Sequence, residues 1–155
     1  MIIDLFPIKV YKKNIKEFID DKLTNDMKLL LDEKLNEMKS NNQIWAESPT
    51  LETTRLMGEP YNKKLFSNKT FDKLKKVLID NCKSYVENAF NYEDEEFLYK
   101  LNMWSNKYGD SATLQLHNHH SFHKKISGCY YMIKEEESPD IIFLPCFVNF
   151  TVFIY

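Results

Sequence analysis

Glycine is scarce in this chain, with 3 in 155 residues. Gly58, Gly109 and Gly128 are therefore each expected where the backbone demands a residue without a side chain. Arginine is scarcer still. Arg55 stands alone among 21 basic residues, so planar two-point recognition of carboxylates can be offered at a single position. The 3 cysteines, Cys82, Cys129 and Cys146, are far apart and form no Cys-x-x-Cys pair. That excludes a zinc ribbon or a dithiol redox motif and fits reduced thiols in a cytoplasmic protein. No apolar run approaches the ~20 residues needed to cross a membrane, and the start of the chain lacks the basic-then-apolar pattern of a signal peptide. A net charge of −2 argues against a nucleic-acid partner held by bulk electrostatics.

What is present is ordinary in bulk and uneven in placement. Hydrophobic residues make up 43% and charged residues 28%, as in a soluble globular protein, while aromatics reach 14%; the proportions and the length bound a single domain with a modest core. Around Pro7, Ile8 and Val10 alternate with Lys9, which predicts a short strand with proline near its start. Asn14 then caps a helical stripe of Ile15, Phe18, Ile19 and Leu23, continued by Met27, Leu30, Leu31, Leu35 and Met38. The spacing predicts one bent helix or two short ones over 14–39, core-facing on the Met/Leu side. Residues 40–67 show no sustained period and read as a long loop. Arg55 lies there, with a structural ion pair or a substrate contact as its two readings. Ser67 or Asn68 caps a second amphipathic helix running to about residue 90. The acidic stretch 91–96 reads as a solvated link.

From Phe97 the period changes to two. Strands are predicted over 97–104, with a turn at 106–110 pivoting on Gly109, then through Leu114 to His119, 126–134, 141–144 and 147–155. Helices first and strands after imply an α+β fold over 1–155 as a single domain. Residues 1–96 form a mostly helical support with a short N-terminal strand, and 97–155 an antiparallel β meander that curls towards a jelly roll.

All 4 histidines fall within His117-Asn118-His119-His120-Ser121-Phe122-His123. On a strand the imidazoles of His117 and His119 project from one face, a half-site for a divalent transition metal. His123 is the candidate third ligand; His120 faces the other way. A solvated, histidine-rich turn is the alternative reading of the same residues.

Several motifs occur in a fixed order: Leu5-Phe6-Pro7, Trp104-x-Asn106-x-x-Gly109, His117-Asn118-His119, Ser127-Gly128-Cys129-Tyr130-Tyr131, and Ile141-Ile142-Phe143 with Pro145. This order resembles the iron(II)- and 2-oxoglutarate-dependent oxygenases of marine phages and bacteria. The resemblance implies a double-stranded β-helix with N-terminal helices packed on its antiparallel sheet. It implies Fe(II) held by His117, His119 and His123, 2-oxoglutarate as cosubstrate near Asn106, Tyr130 and Tyr131, and oxidation of a small-molecule or protein side-chain substrate. No histidine follows His123 and no arginine follows Arg55, so the resemblance implies a C-terminally truncated member. Two alternatives stand beside it. One is a non-catalytic remnant of that scaffold, self-associating as a homodimer through open strand edges; the other is a cupin-like metal protein.

Overall fold

The apolar residues flanking Phe6-Pro7 fold as two strands instead of one. In the computed structural model, which describes residues 2–5, 8–41, 50–90, 99–109, 126–133 and 150–154, β1 (Ile2–Leu5) pairs antiparallel with β2 (Ile8–Lys13). The register runs from Ile2 opposite Tyr11 to Leu5 opposite Ile8.

The chain divides into two compact units. The first comprises 1–20, 75–97 and 117–155. Its sheet has the order β1-β2-β6-β5, where β5 is Ile126–Tyr130 and β6 is Phe150–Ile154. Strand β6 is parallel to both neighbours, with Val10 opposite Thr151 and Ile126 opposite Phe150. Its sequence, Phe-Thr-Val-Phe-Ile, is the near-continuous β-prone run expected of a strand flanked on both sides. This overturns the expected fold. A double-stranded β-helix is built from antiparallel pairs, whereas this sheet is open and mixed. The period of a strand reports its faces, not its direction. The hairpin expected over Glu135–Asp140 and the strand expected over 141–144 lie outside the described residues. Parallel neighbours need a connection of about a dozen residues or more, and residues 131–149 are long enough to supply it.

Strand β2 meets helix α3 (Asp72–Phe90) through Tyr11. The phenol donates to Oδ1 of Asn81 at 3.0 Å, and the ring lies 5.9 Å from that of Tyr85 at a 48° tilt. Asn81, itself buried, donates to the Val77 carbonyl at 2.7 Å, so its amide has partners on both ends. Tyr85 is fully buried.

The stripe predicted as a helix from residue 14 divides between the units. The side chain of Asn14 accepts from the Lys16 N–H, and the Ile15 carbonyl accepts from Phe18 and Ile19, closing a single turn. Ile15 and Ile19 are buried in the first unit. Helix α1 begins only at Asp21 and runs to Ser40, burying Met27, Leu31, Leu35 and Met38 in the second.

That second unit, 21–74 with 98–116, also holds β3 (Leu51–Thr53), a 3-10 turn at Thr54–Met57, α2 (Gly58–Phe66) and β4 (Asn106–Tyr108). Helix α1 packs against β3 and the 3-10 turn. Phe66 and Phe71 stack at 4.8 Å and 59° in the core. The long loop expected over 40–67 thus contains a strand, a turn and a helix. The strand expected over 97–104 gives no regular structure from 99 to 105, and β4 forms where a turn was expected.

Replacing Tyr11 by Phe leaves the buried Oδ1 of Asn81 without its donor and should cost about 1–2 kcal/mol in urea unfolding. Burial raises the Tyr11 phenol above its ordinary 10.0 and the Cys82 thiol above 9.0. Both groups hold their protons longer folded than unfolded. Stability is therefore fully present below about pH 9 and falls as pH rises through the folded values. A urea series from pH 7 to 11 checks this; a flat profile contradicts it.

Candidate functional site

Two consecutive threonines, both buried, organise the second unit. In the β3–β4 ladder Leu51 lies opposite Tyr108, Glu52 opposite Lys107 and Thr53 opposite Asn106. Beyond the strands the pairing continues: the Thr54 N–H donates to the Ser105 carbonyl at 3.0 Å, and the Gly109 N–H to the Thr50 carbonyl at 2.9 Å. A Cβ on Gly109 would sit 3.1 Å from the Thr50 oxygen, which is why a glycine suits the position.

Each threonine hydroxyl donates to an asparagine and accepts a backbone N–H. Thr53 Oγ1 donates to Asn106 Oδ1 at 2.6 Å and accepts from the Arg55 N–H at 3.2 Å. Thr54 Oγ1 donates to Asn62 Oδ1 at 2.6 Å and accepts from the Ser105 N–H at 2.9 Å. The Asn62 amide closes the circuit by donating to the carbonyls of Thr54 and Gly58, each at 2.9 Å. Gly58 ends the 3-10 turn at φ 79° and ψ 173°, a conformation almost reserved for glycine, and its N–H donates to the Arg55 carbonyl. Arg55 is therefore held by its own N–H and its own C=O, and Ser105 by both of its backbone groups. A buried polar network with its members satisfied is rigid.

These clamped backbones carry an exposed surface. The Arg55 guanidinium lies over the Trp104 ring, 5.5 Å from its centroid, and Trp104 is 39% exposed. Asn106 and Tyr108 share a face of β4 as residues two apart. The Asn106 amide nitrogen is 3.4 Å from the Tyr108 hydroxyl, and Tyr108 is 51% exposed. A cation over indole and its neighbouring polar amide can hold a partner by stacking, apolar contact and charge-assisted hydrogen bonds.

Two lysines of the 99–109 segment are each matched by a carboxylate, Lys107 from the face of β4 opposite Asn106 and Tyr108. Lys100 meets Glu59 at 2.7 Å and Lys107 meets Asp32 at 2.8 Å. The hydrogen bond to Asp32 raises the Lys107 ammonium above its usual range, and the bond from Lys100 lowers the Glu59 carboxyl. On the opposite face of β3, Glu52 accepts from Lys39 at 3.1 Å. Such exposed pairs add little stability; their consequence is to cancel charge.

Of the residues singled out from sequence, Asn106 and Arg55 both bond the Thr53 hydroxyl, Asn106 through its side chain and Arg55 through its backbone N–H. Tyr130 ends β5 and Tyr131 follows it, both half-buried, in the other unit. His117, His119 and His123 lie outside the described residues. Among the described residues no group of three or more His, Cys, Asp or Glu comes together to hold a metal. With the mixed, open sheet, this overturns the expected oxygenase, its Fe(II) and its 2-oxoglutarate, and with them the remnant and cupin versions of the scaffold. No helix among the described residues is long and apolar enough to cross a membrane. Searches of family models, curated proteins and solved structures return no match to this chain. Sequence reasoning missed Trp104 and Tyr108 as surface residues, having placed them in a strand and within a turn.

Thr54→Val keeps the shape and deprives both Asn62 and the Ser105 N–H of a partner. It should cost about 2 kcal/mol or more. Gly58→Ala meets only Pro60 Cδ at 3.8 Å, so its loss, about 1–3 kcal/mol, is backbone strain alone. Denaturant unfolding measures both, and a neutral Gly58→Ala would contradict the strained turn.

Proposed function

We propose that this chain is a protein-recognition module whose contact surface is Arg55, Trp104, Asn106 and Tyr108. The observation that carries the reading is the Arg55–Trp104 stack, half-exposed yet mounted on backbone fixed from below by Thr53 and Thr54. Tryptophan, tyrosine and arginine are the residues that dominate binding energy at protein interfaces. Elsewhere their exposure is a liability; here rigid mounting removes much of the ordering cost of association. Leu56 and Leu101, 42% and 40% exposed, lie in the same two segments and extend the apolar contribution. The free thiols of Cys82 and Cys129 suit a reducing compartment, and we place the protein in the cytoplasm on that ground.

An array of random 12-residue peptides tests the reading. Wild type should retain a defined subset, and Trp104→Ala, with unchanged circular dichroism, should weaken that subset by about 2 kcal/mol or more, roughly 30-fold. Lys73→Ala, exposed on α3, serves as the control and should leave the profile unchanged. If Trp104→Ala gives the wild-type profile, this surface is not the recognition site.

A further inference from the structure

A second surface of the same unit is built from charge instead of rings. Between Glu59 and Asp72 the chain carries Lys63, Lys64 and Lys69 and no acidic residue. All three lysines lie in the second unit and are exposed. Lys63 and Lys64 sit in the last turn of α2, and Lys69 opens the 3-10 turn Lys69–Phe71 that leads into α3. Ser67 and Asn68 alone separate the two helical pieces, so the lysines belong to one corner. Glu59, one turn before Lys63, is bonded to Lys100 at 2.7 Å. Among the described residues no carboxylate forms an ion pair with Lys63, Lys64 or Lys69. The corner is held from beneath. The Ser67 N–H donates to the Lys63 and Lys64 carbonyls at 3.0 and 3.3 Å, and the Phe71 N–H to the Asn68 carbonyl at 3.0 Å. Phe66 and Phe71 stack in the core below. Asn68 Oδ1 accepts from the Thr70 N–H at 3.0 Å, which fixes the amide and keeps its Nδ2–H donors for a partner.

Ammonium point charges with a neutral amide donor among them suit phosphate oxygens. What the corner lacks narrows the source of the phosphate. A single strand stacks its bases on exposed rings, but Phe66 and Phe71 are buried, and Tyr61 is half-buried with its hydroxyl inside. A membrane surface is held best when an apolar side chain enters the headgroup layer, but Leu65 is buried as well. A duplex needs neither, since its backbone presents closely spaced phosphates on a stiff rod. The net charge of −2 does not oppose this, because counterion release follows the cations at the contact and not the sum over the chain. We propose that the α2–α3 corner docks on the phosphate backbone of double-stranded nucleic acid through Lys63, Lys64, Lys69 and the Asn68 amide. Such contacts position a protein on the duplex and read no sequence. The proposal is independent of the Arg55–Trp104 surface.

Fluorescence anisotropy of the full chain with a fluorescein-labelled DNA duplex of about 20 base pairs tests it, at about 50 and about 200 mM salt. Three phosphate contacts predict a loss of affinity of roughly 40-fold across that range. The combined variant Lys63→Gln, Lys64→Gln, Lys69→Gln, with unchanged circular dichroism, should weaken duplex binding at least about tenfold at the lower salt and flatten the salt dependence. Arginine at the same three positions should keep both. Lys22→Gln with Lys28→Gln, both exposed on α1, removes charge elsewhere and should change the affinity less than about twofold. A duplex that does not bind, or an α1 pair that costs as much as the corner, overturns the proposal. Tighter binding of oligo-dT than of the duplex overturns it too. Phosphatidylserine vesicles that bind through the three lysines while the duplex does not would assign the corner to a membrane, and also overturn it.

Discussion

The hydroxyls of two adjacent side chains, Thr53 and Thr54, hold the second unit to one geometry. Successive residues of an extended segment point to opposite sides, so neighbouring threonines reach different partners. One hydroxyl reaches across the ladder to Asn106 while taking the Arg55 N–H; the other reaches Asn62 while taking the Ser105 N–H. Two stretches of chain meet through these two oxygens: 51–66, which holds β3, the 3-10 turn and α2, and 105–108, which holds β4 and the residue before it. Both residues are almost wholly buried, where an unpaired hydroxyl or amide is costly. The network therefore tolerates few alternatives. Its outward consequence is that Arg55 and Trp104 are presented on backbone that is fixed, not on a free loop.

The first unit shows a different economy. Its sheet holds antiparallel and parallel pairs side by side, with β6 between β2 and β5. Tyr11 gives that sheet a polar anchor on α3 by donating to the buried Asn81, and Tyr85 supplies the aromatic contact beside it. The Tyr11 phenolic proton is bonded within the core, which couples this unit's stability to alkaline pH.

Local pattern was enough for the faces of the two long helices, but it missed α2 and the true start of α1, and it failed for the sheets. The stripe of Met27, Leu31, Leu35 and Met38 is the buried face of α1, as its spacing implies, and Asn68 accepts from the Thr70 N–H at the start of the next helical stretch. The final run is a strand, again as read. What failed was everything set by partners distant in sequence. Ile15 and Ile19 share a helical period with Met27 yet belong to another core. Strand β4 is three residues long and exists because β3, some fifty positions earlier, supplies its ladder; nothing in Asn106-Lys107-Tyr108 alone announces it. Pairing was equally invisible: the predicted antiparallel meander did not foresee that β6 pairs in parallel with both β2 and β5. For the surface, Asn106 was named for a cosubstrate and Arg55 for a substrate or ion pair. Their proximity depends on the Thr53 hydroxyl, which no spacing rule reveals. The motif order that resembled an oxygenase was a likeness of short strings, not of strand arrangement.

Time-resolved fluorescence anisotropy of Trp104, in a Trp45→Phe background, measures most directly whether the threonine pair fixes the exposed surface. With Thr53 and Thr54 intact, the indole should depolarise only with tumbling of the protein, and Thr54→Val should add a nanosecond component as Ser105 loses its clamp. An indole that is already mobile in the parent, or one that stays immobile in Thr54→Val, would contradict the claim that these two hydroxyls hold the surface in place.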